Sequence, residues 1–330
     1  MTRLLRLIVL LVIPLSVWIV IFYQFPLSIS SDNAIYELKS GQSLKGIAKD
    51  LTKKKFIWEP YTFVFIGKLL GLQTHIKAGS YEFKEGISAF QLLTKISRGD
   101  AIDFEVKIID GMNFNQLKHE LENNPNLTHQ LNQLTFREIK KQLNLEVDSL
   151  EGIFYPDTYF FNRGDSDLKI LKRAKNNMDV HLNKLWLSRS VESTLTSPYQ
   201  ALILASLVEK ETASIAEQPK IAAVFLNRLS IGMRLQTDPT VIFGLGAHYS
   251  GKLHHHDLTL DSPYNTYTRN GLPPTPIAYP SLTAINAVLH PEEHNTALYF
   301  VAKGDGTHYF SKTLAEHNQA VLKYQIHSSH

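Results

Sequence analysis

Ser197-Pro-Tyr-Gln-Ala-Leu-Ile-Leu-Ala-Ser-Leu-Val-Glu-Lys-Glu-Thr212 is the stretch on which the fold of the C-terminal half turns. Ser-Pro reads as a helix start, the serine able to cap and the proline tolerated in the first turn. Ala201 to Val208 is apolar on nearly every side, which predicts a buried helix. It ends in acids. At roughly 100° per residue, Glu209 shares a face with Leu202, Ala205 and Ser206, whereas Glu211 points about 200° away, so the two cannot act on one substrate atom. Removing a carboxyl from water disfavours its charged form, and Glu209 is therefore the acid expected to keep its proton near neutrality and to donate it. The competing expectation is a structural ion pair of Glu209 with Arg228 or Arg234.

Downstream, Pro219 to Ser230 places Ile221, Ala222, Val224, Phe225, Leu226 and Leu229 on one side of a second helix, which Gly232 stops. Met233 to Val241 reads as an extended segment broken by an Asp238-Pro239 turn. Tyr264-Asn265-Thr266-Tyr267-Thr268 and Gly271 to Ile277 form a Tyr/Asn/Thr patch beside a proline loop. Aromatic faces next to amide and hydroxyl groups suit a sugar, although such a patch also suits a structural turn. Upstream, Ser166 starts a predicted long helix with Ile170, Leu171, Ala174, Met178 and Leu182 at helical spacing, ended by the polar stretch Ser188 to Ser197. His119 to Leu150, rich in Asn and Gln, reads as a connector of short helices.

Further towards the N-terminus, Gly41-Gln-Ser43-Leu44, Gly86-Ile-Ser88-Ala89 and Gly111-Met-Asn113-Phe114 share one pattern. Each reads as strand, turn, helix: the glycine permits the turn, and Ser or Asn caps the helix. With the strands Ala34 to Lys39, Gly79 to Phe83 and Asp103 to Ile109 they predict a small α+β region. Leu7 to Tyr23 is uncharged and, with its apolar flanks, reaches the roughly 20 residues that cross a bilayer. Arg3 and Arg6 precede it and no positive cluster comes after it, which predicts a single-pass anchor with a cytoplasmic N-terminus and an extracytoplasmic body from Ser28 onward.

The 330 residues are 44% hydrophobic, carry a formal charge of +3 and contain no cysteine. That excludes disulfides, thiol nucleophiles and Cys-ligated metals, and the basic excess is too small to argue for nucleic acid. His254-His255-His256-Asp257 reads as a solvated loop rather than a metal site, so no metal and no other cofactor is expected. Ser206 lacks a lysine three residues on and is not a peptidase nucleophile.

The N-terminal anchor, Leu150-Glu-Gly-Ile-Phe-Tyr-Pro-Asp-Thr-Tyr159, Ala205-Ser-Leu-Val-Glu-Lys-Glu-Thr212, Val224-Phe-Leu-Asn-Arg-Leu229, Met233-Arg-Leu-Gln-Thr-Asp-Pro-Thr240 and Tyr264-Asn-Thr-Tyr267 together closely resemble the endolytic murein transglycosylase, or YceG-like, family. Gly41-Gln-Ser-Leu-Lys-Gly-Ile-Ala48 is similar to a LysM-like peptidoglycan-binding unit. With the patterns above, the expected fold is α+β: a cytoplasmic tail and transmembrane helix over 1–27, a LysM-like α+β region over 28–118, a helical connector over 119–150 and a mixed α/β catalytic domain over 151–330. The resemblance implies cleavage of the MurNAc–GlcNAc β-1,4 bond inside glycan strands, leaving 1,6-anhydro-MurNAc ends, at the bacterial inner membrane with the body periplasmic. It further implies action near peptidoglycan synthases that limits the length of nascent strands. The family's catalytic glutamate falls on Glu209, while Gln236, Asp238, Asn265 and Tyr267 are expected to position the saccharide or polarise Glu209. Rival expectations are a lysozyme-type muramidase with Asp238 as second carboxylate, and a non-enzymatic wall-binding scaffold.

Overall fold

The computed structural model describes residues 2–29, 34–190 and 194–326, with the side chains of 2–9, 11, 15 and 326 left undescribed. The chain forms two compact units, Met1–Glu105 with Phe160–Asp165, and Val106–Tyr159 with Ser166–His330. The architecture is α+β, helices predominating and strands confined to two-stranded sheets.

The first unit holds α1 (Thr2–Gln24), β1 (Ile35–Leu38), α2 (Leu44–Lys53), α3 (Pro60–Leu69), β2 (Gly79–Glu82) and α4 (Ala89–Arg98). β1 and β2 pair antiparallel, with Ile35 opposite Glu82 and Leu38 opposite Gly79. Their inward side chains Tyr36, Leu38 and Tyr81 meet Ile47, Leu51, Phe63, Leu92 and Leu93 of the helices in one core. The repeated strand–turn–helix pattern is present as local structure. Gly41, Gly86 and Gly111 have φ of 82°, 84° and 77°, and Ser43, Ser88 and Asn113 each accept an N–H from the first turn of the adjoining helix. The third copy, β3 (Phe104–Ile108) and α5 (Phe114–Glu122), divides differently from the expected 28–118 region. Most of it belongs to the second unit, where Leu117 and Leu121 are buried.

The apolar N-terminal run is helical through Pro14, and the described side chains of α1 are mostly exposed. Among the described residues no helix is long and apolar enough to cross a membrane. The expected anchor falls in part on the undescribed side chains 2–9, 11 and 15, and the polar segments expected after it and after the long helix fall in part outside the described residues, at 30–33 and 191–193.

The second unit adds α6 (Phe136–Leu143), β4 (Asp157–Phe161, paired with β3), α7 (Asp167–Leu187), α8 (Pro198–Glu211), α9 (Gln218–Ser230), α10 (Asp238–Leu245), α11 (His255–Thr259), α12 (Leu282–Leu289), the hairpin β5 (Tyr299–Ala302) and β6 (His308–Ser311), and α13 (Leu314–Val321). α8 is its axis: all of 201–208 is buried, and α7, α9, α10 and α12 pack around it. One expectation is corrected here. Asp238-Pro239 does not break an extended segment but starts α10, with Pro in the first turn and Asp favoured by the helix N-terminus.

Gly152 explains part of the Leu150–Tyr159 motif. Its φ is 73°, and a Cβ there would come 2.2 Å from Cβ of Pro276, so backbone and proline loop approach as only glycine allows.

Candidate active site

Because α8 is buried up to Val208, its next residue, Glu209, emerges half-buried at the edge of the core. Its Oε2 accepts two hydrogen bonds from Ser281, the backbone N–H at 3.0 Å and the hydroxyl at 2.5 Å. Ser281 is the N-cap of α12, and its Oγ accepts the N–H of Ala284 at 3.2 Å, which turns the hydroxyl proton towards Glu209. Among the described residues Oε1 of Glu209 receives no hydrogen bond. The expected guanidinium partners lie elsewhere: Arg228 donates to the carbonyls of Leu298 and Leu235, and Arg234 to Asn270 Oδ1 and the Tyr267 carbonyl.

A turn from the third repeat flanks this carboxyl. The N–H of Gly111 donates to the Tyr279 carbonyl at 2.8 Å and the N–H of Tyr279 to the Met112 carbonyl at 2.7 Å, tying Asp110–Met112 to the segment that leads into Ser281. Lys210 Nζ donates to the Gly111 carbonyl at 3.2 Å. A Cβ on Gly111 would lie 4.0 Å from Cγ of Glu209, so the backbone beside Asp110 is in contact range of the acid. Asp110 is exposed as a residue, yet partial desolvation of its carboxyl, and then the charge of Glu209, raise it above the ordinary carboxylate range.

Glu211 serves a different cluster, as the angular argument requires. Its Oε2 accepts the Thr237 hydroxyl at 2.6 Å, and burial first, then Asp238, push its carboxyl up. Tyr267 donates its hydroxyl to Asp238 Oδ1 at 2.6 Å. Asp238 and Tyr267 thus come together beside Glu211. Gln236 is exposed at the strained φ of 48°, its N–H donating to the Thr266 carbonyl at 3.2 Å. Asn265 is only 1% exposed; its amide donates to the Leu258 and Leu260 carbonyls at 3.1 and 2.7 Å, and its Oδ1 accepts the Tyr267 N–H. It staples a loop and has no polar atom left to offer a sugar.

The placing of the most desolvated carboxyl at Glu209 is also corrected: burial falls on Glu211 and on Glu151. Glu151 is 8% exposed, and both its oxygens accept the Phe114 N–H at the start of α5, at 3.0 and 3.1 Å. Burial outweighs those bonds and pushes its carboxyl up to about 7. Ser206 donates to the Ile203 carbonyl and accepts the Ile277 N–H at 3.0 Å, a packing role. His254 and His256 are tied to Asp257 in α11, and among the described residues no group of three His, Asp or Glu is placed to hold a metal ion.

Sequence reasoning missed Ser281, Asp110 and Glu151. Pro280-Ser281 before Leu-Thr-Ala-Ile is a readable cap, and Asp110 precedes the third repeated glycine. Nothing local ties either to Glu209, which lies 72 residues from Ser281.

Similarity to known proteins points the same way. The family model described as YceG-like matches residues 36–323. The endolytic murein transglycosylase of Bacillus subtilis (strain 168) is 32% identical over 309 residues, 87% of this chain and 83% of that protein. The protein of that name from Streptococcus pneumoniae (strain D39) is 24% identical over 325 residues, 87% of this chain, and the chain spans 57% of its length. A solved yceG-like protein of Listeria monocytogenes, 32% identical, superposes with a TM-score of 0.57 over 86% of this chain and 97% of that one.

Proposed function

The chain belongs to the YceG-like family, and from that membership we infer an endolytic lytic transglycosylase of peptidoglycan in which Glu209 is the single catalytic acid and base. The observation that carries the assignment is the state of its carboxyl: Ser281 holds Oε2 with two donors, while Oε1 is left for the substrate. With Oε2 an acceptor, the proton of the acid form belongs on Oε1. That oxygen protonates the bridging oxygen as the C1–O4 bond breaks and leaves positive charge at C1. The resulting carboxylate then takes the proton of the C6 hydroxyl, whose oxygen closes onto C1. Glu209 ends as it began, no water is consumed, and the new end is 1,6-anhydro-MurNAc.

Asp110 is assigned as a flanking carboxylate whose negative charge offsets the charge developing at C1. Gln236 and the Asp238–Tyr267 pair are assigned to a more distant saccharide contact on the Glu211 side, since Asp238 and Tyr267 bond each other rather than Glu209. The same geometry supports one rival. A carboxylate at Asp110, not at Asp238, would be the second acid of a lysozyme-type muramidase. Mass spectrometry of sacculi digested with the full-length protein separates them: anhydro ends are expected, and reducing ends, heavier by one water, would overturn the lytic mechanism.

The uncharged run Leu7–Tyr23 behind Arg3 and Arg6 supports α1 as a single-pass anchor in the cytoplasmic (inner) membrane, with the body on its outer, periplasmic face. The first two strand–turn–helix copies, at Gly41 and Gly86 in the first unit, are assigned to holding glycan in a LysM-like manner. Cutting inside strands beside the synthases that extend them would limit strand length.

A further inference from the structure

α3 has two unlike faces. Phe63, Ile66 and Gly67 are buried in the core of the first unit. On the other side Tyr61 is 82% exposed, Phe65 64% and Leu69 68%, a row at four-residue spacing, and Trp58 just ahead of the helix is 55% exposed. Single exposed apolar residues are ordinary in a folded protein; a contiguous aromatic row is not. The row runs on from the end of α1, because Trp18 donates its indole N–H to Thr62 Oγ1 at 2.7 Å and the rings of Phe25 and Trp58 meet edge to face at 5.3 Å. Between them lies an apolar cavity of about 390 Å3. Lys53, Lys54 and Lys55, consecutive at the end of α2, are exposed, as is Lys68 on α3. Lys53, Lys55 and Lys68 have no acidic partner among the described residues. Glu59, the acid nearest in sequence to Lys55 and Lys68, spends its carboxylate on the N–H groups of Tyr61 and Thr62.

We propose that this face is a membrane-surface contact, in which Trp58, Tyr61, Phe65 and Leu69 enter the boundary between headgroups and acyl chains of an anionic phospholipid bilayer while the neighbouring lysines meet lipid phosphates. The chemistry fits that occupant on two counts. Trp and Tyr combine an apolar body with a polar tip and settle at the level of lipid headgroups. The exposed lysines near them in sequence are drawn to an anionic leaflet and can extend their heads into the phosphate layer. A protein partner would have to match the aromatic row and the lysines with a groove and acids of its own, whereas a bilayer supplies both layers at once. The contact would lay the first unit against the membrane instead of leaving it to swing on one helix. It deepens the membrane placement of α1 and rests on it for delivery, but the two fail differently.

The chain has three tryptophans. Full-length protein carrying Trp18→Phe and Trp186→Phe keeps Trp58 as its one emitter, and it is mixed with vesicles of phosphatidylcholine and phosphatidylglycerol whose acyl chains are brominated. The expected result is that the protein floats with the vesicles and that Trp58 emission shifts to the blue and is quenched by about half. Phe65→Ser with Leu69→Ser should remove most of the quenching while flotation persists. Flotation without quenching overturns the contact and leaves the anchor standing, as does quenching indifferent to the two serines. Flotation only on anionic vesicles, lost at high salt but with Trp58 quenched, keeps the contact and overturns the anchor. Absence of flotation overturns both.

Discussion

At Glu209 the environment is built from two backbone-rich contacts: a helix cap that donates twice to one oxygen, and a glycine turn that brings the Asp110 carboxyl alongside. Ser281→Ala removes the hydroxyl donor but keeps the N–H. A hydrogen bond to a carboxylate contributes roughly 1.5–3 kcal/mol, so kcat should fall by about tenfold or more with little change in KM. Loss of the cap lowers stability by only about 1 kcal/mol. Ser281→Thr should restore most of both, and steady-state kinetics beside thermal melting check it. Asp110→Asn should lower kcat by about tenfold while leaving the anhydro product unchanged; Asp110→Glu should recover part of it. A change of product from anhydro to reducing ends in either variant would remove Asp110 from this role.

The helices are where sequence and structure agree best, and the reason is periodicity. An uninterrupted apolar run such as Ala201–Val208 fixes a buried helix and the direction in which its terminal acid leaves, and both survive in α8. The three Gly–Ser/Asn turns are equally legible, since each is decided within about six residues by local capping chemistry. The start of α10 was readable in principle from Pro at the first turn, but Leu235, Thr237 and Val241 alternate like a strand and the wrong period prevails. Glu151 was not readable. Its burial depends on α5 docking its N-terminus from 37 residues away. At this scale it carries a prediction about pH. Its carboxyl sits near 7 instead of 4.5, so between those values the folded chain holds a proton that the unfolded chain has released. The stabilising effect of that proton, up to about 3 kcal/mol, is fully present below 4.5 and is lost as pH rises through about 7. Glu151→Gln keeps an acceptor for the Phe114 N–H and removes the titration. Its melting temperature relative to the parent should therefore be higher at pH 8 than at pH 5; a difference independent of pH would contradict the assignment.

Over the whole molecule, the chain divides into two units along lines the sequence shows only in part. The repeat suggests one N-terminal region of three copies, yet the third copy places its Asp110–Gly111 turn in the second unit, because packing and not local pattern decides membership. The polar candidates divided for the same reason. Asp238 and Tyr267 are neighbours through a loop closure that Asn265 enforces, and no spacing rule reveals which side of α8 they face. Gly152→Ala tests how the Leu150–Tyr159 motif is joined to the proline loop. With a positive φ and Pro276 at 2.2 Å, the substitution should destabilise the protein by about 2 kcal/mol or more, read as a fall in melting temperature.

Both proton transfers are assigned to one carboxyl, and Glu209→Gln removes only its proton chemistry. The variant should melt within a few degrees of the parent and still bind sacculi, while release of 1,6-anhydro-MurNAc ends falls by at least about 100-fold. Release of those ends at the parental rate by the folded variant would contradict it.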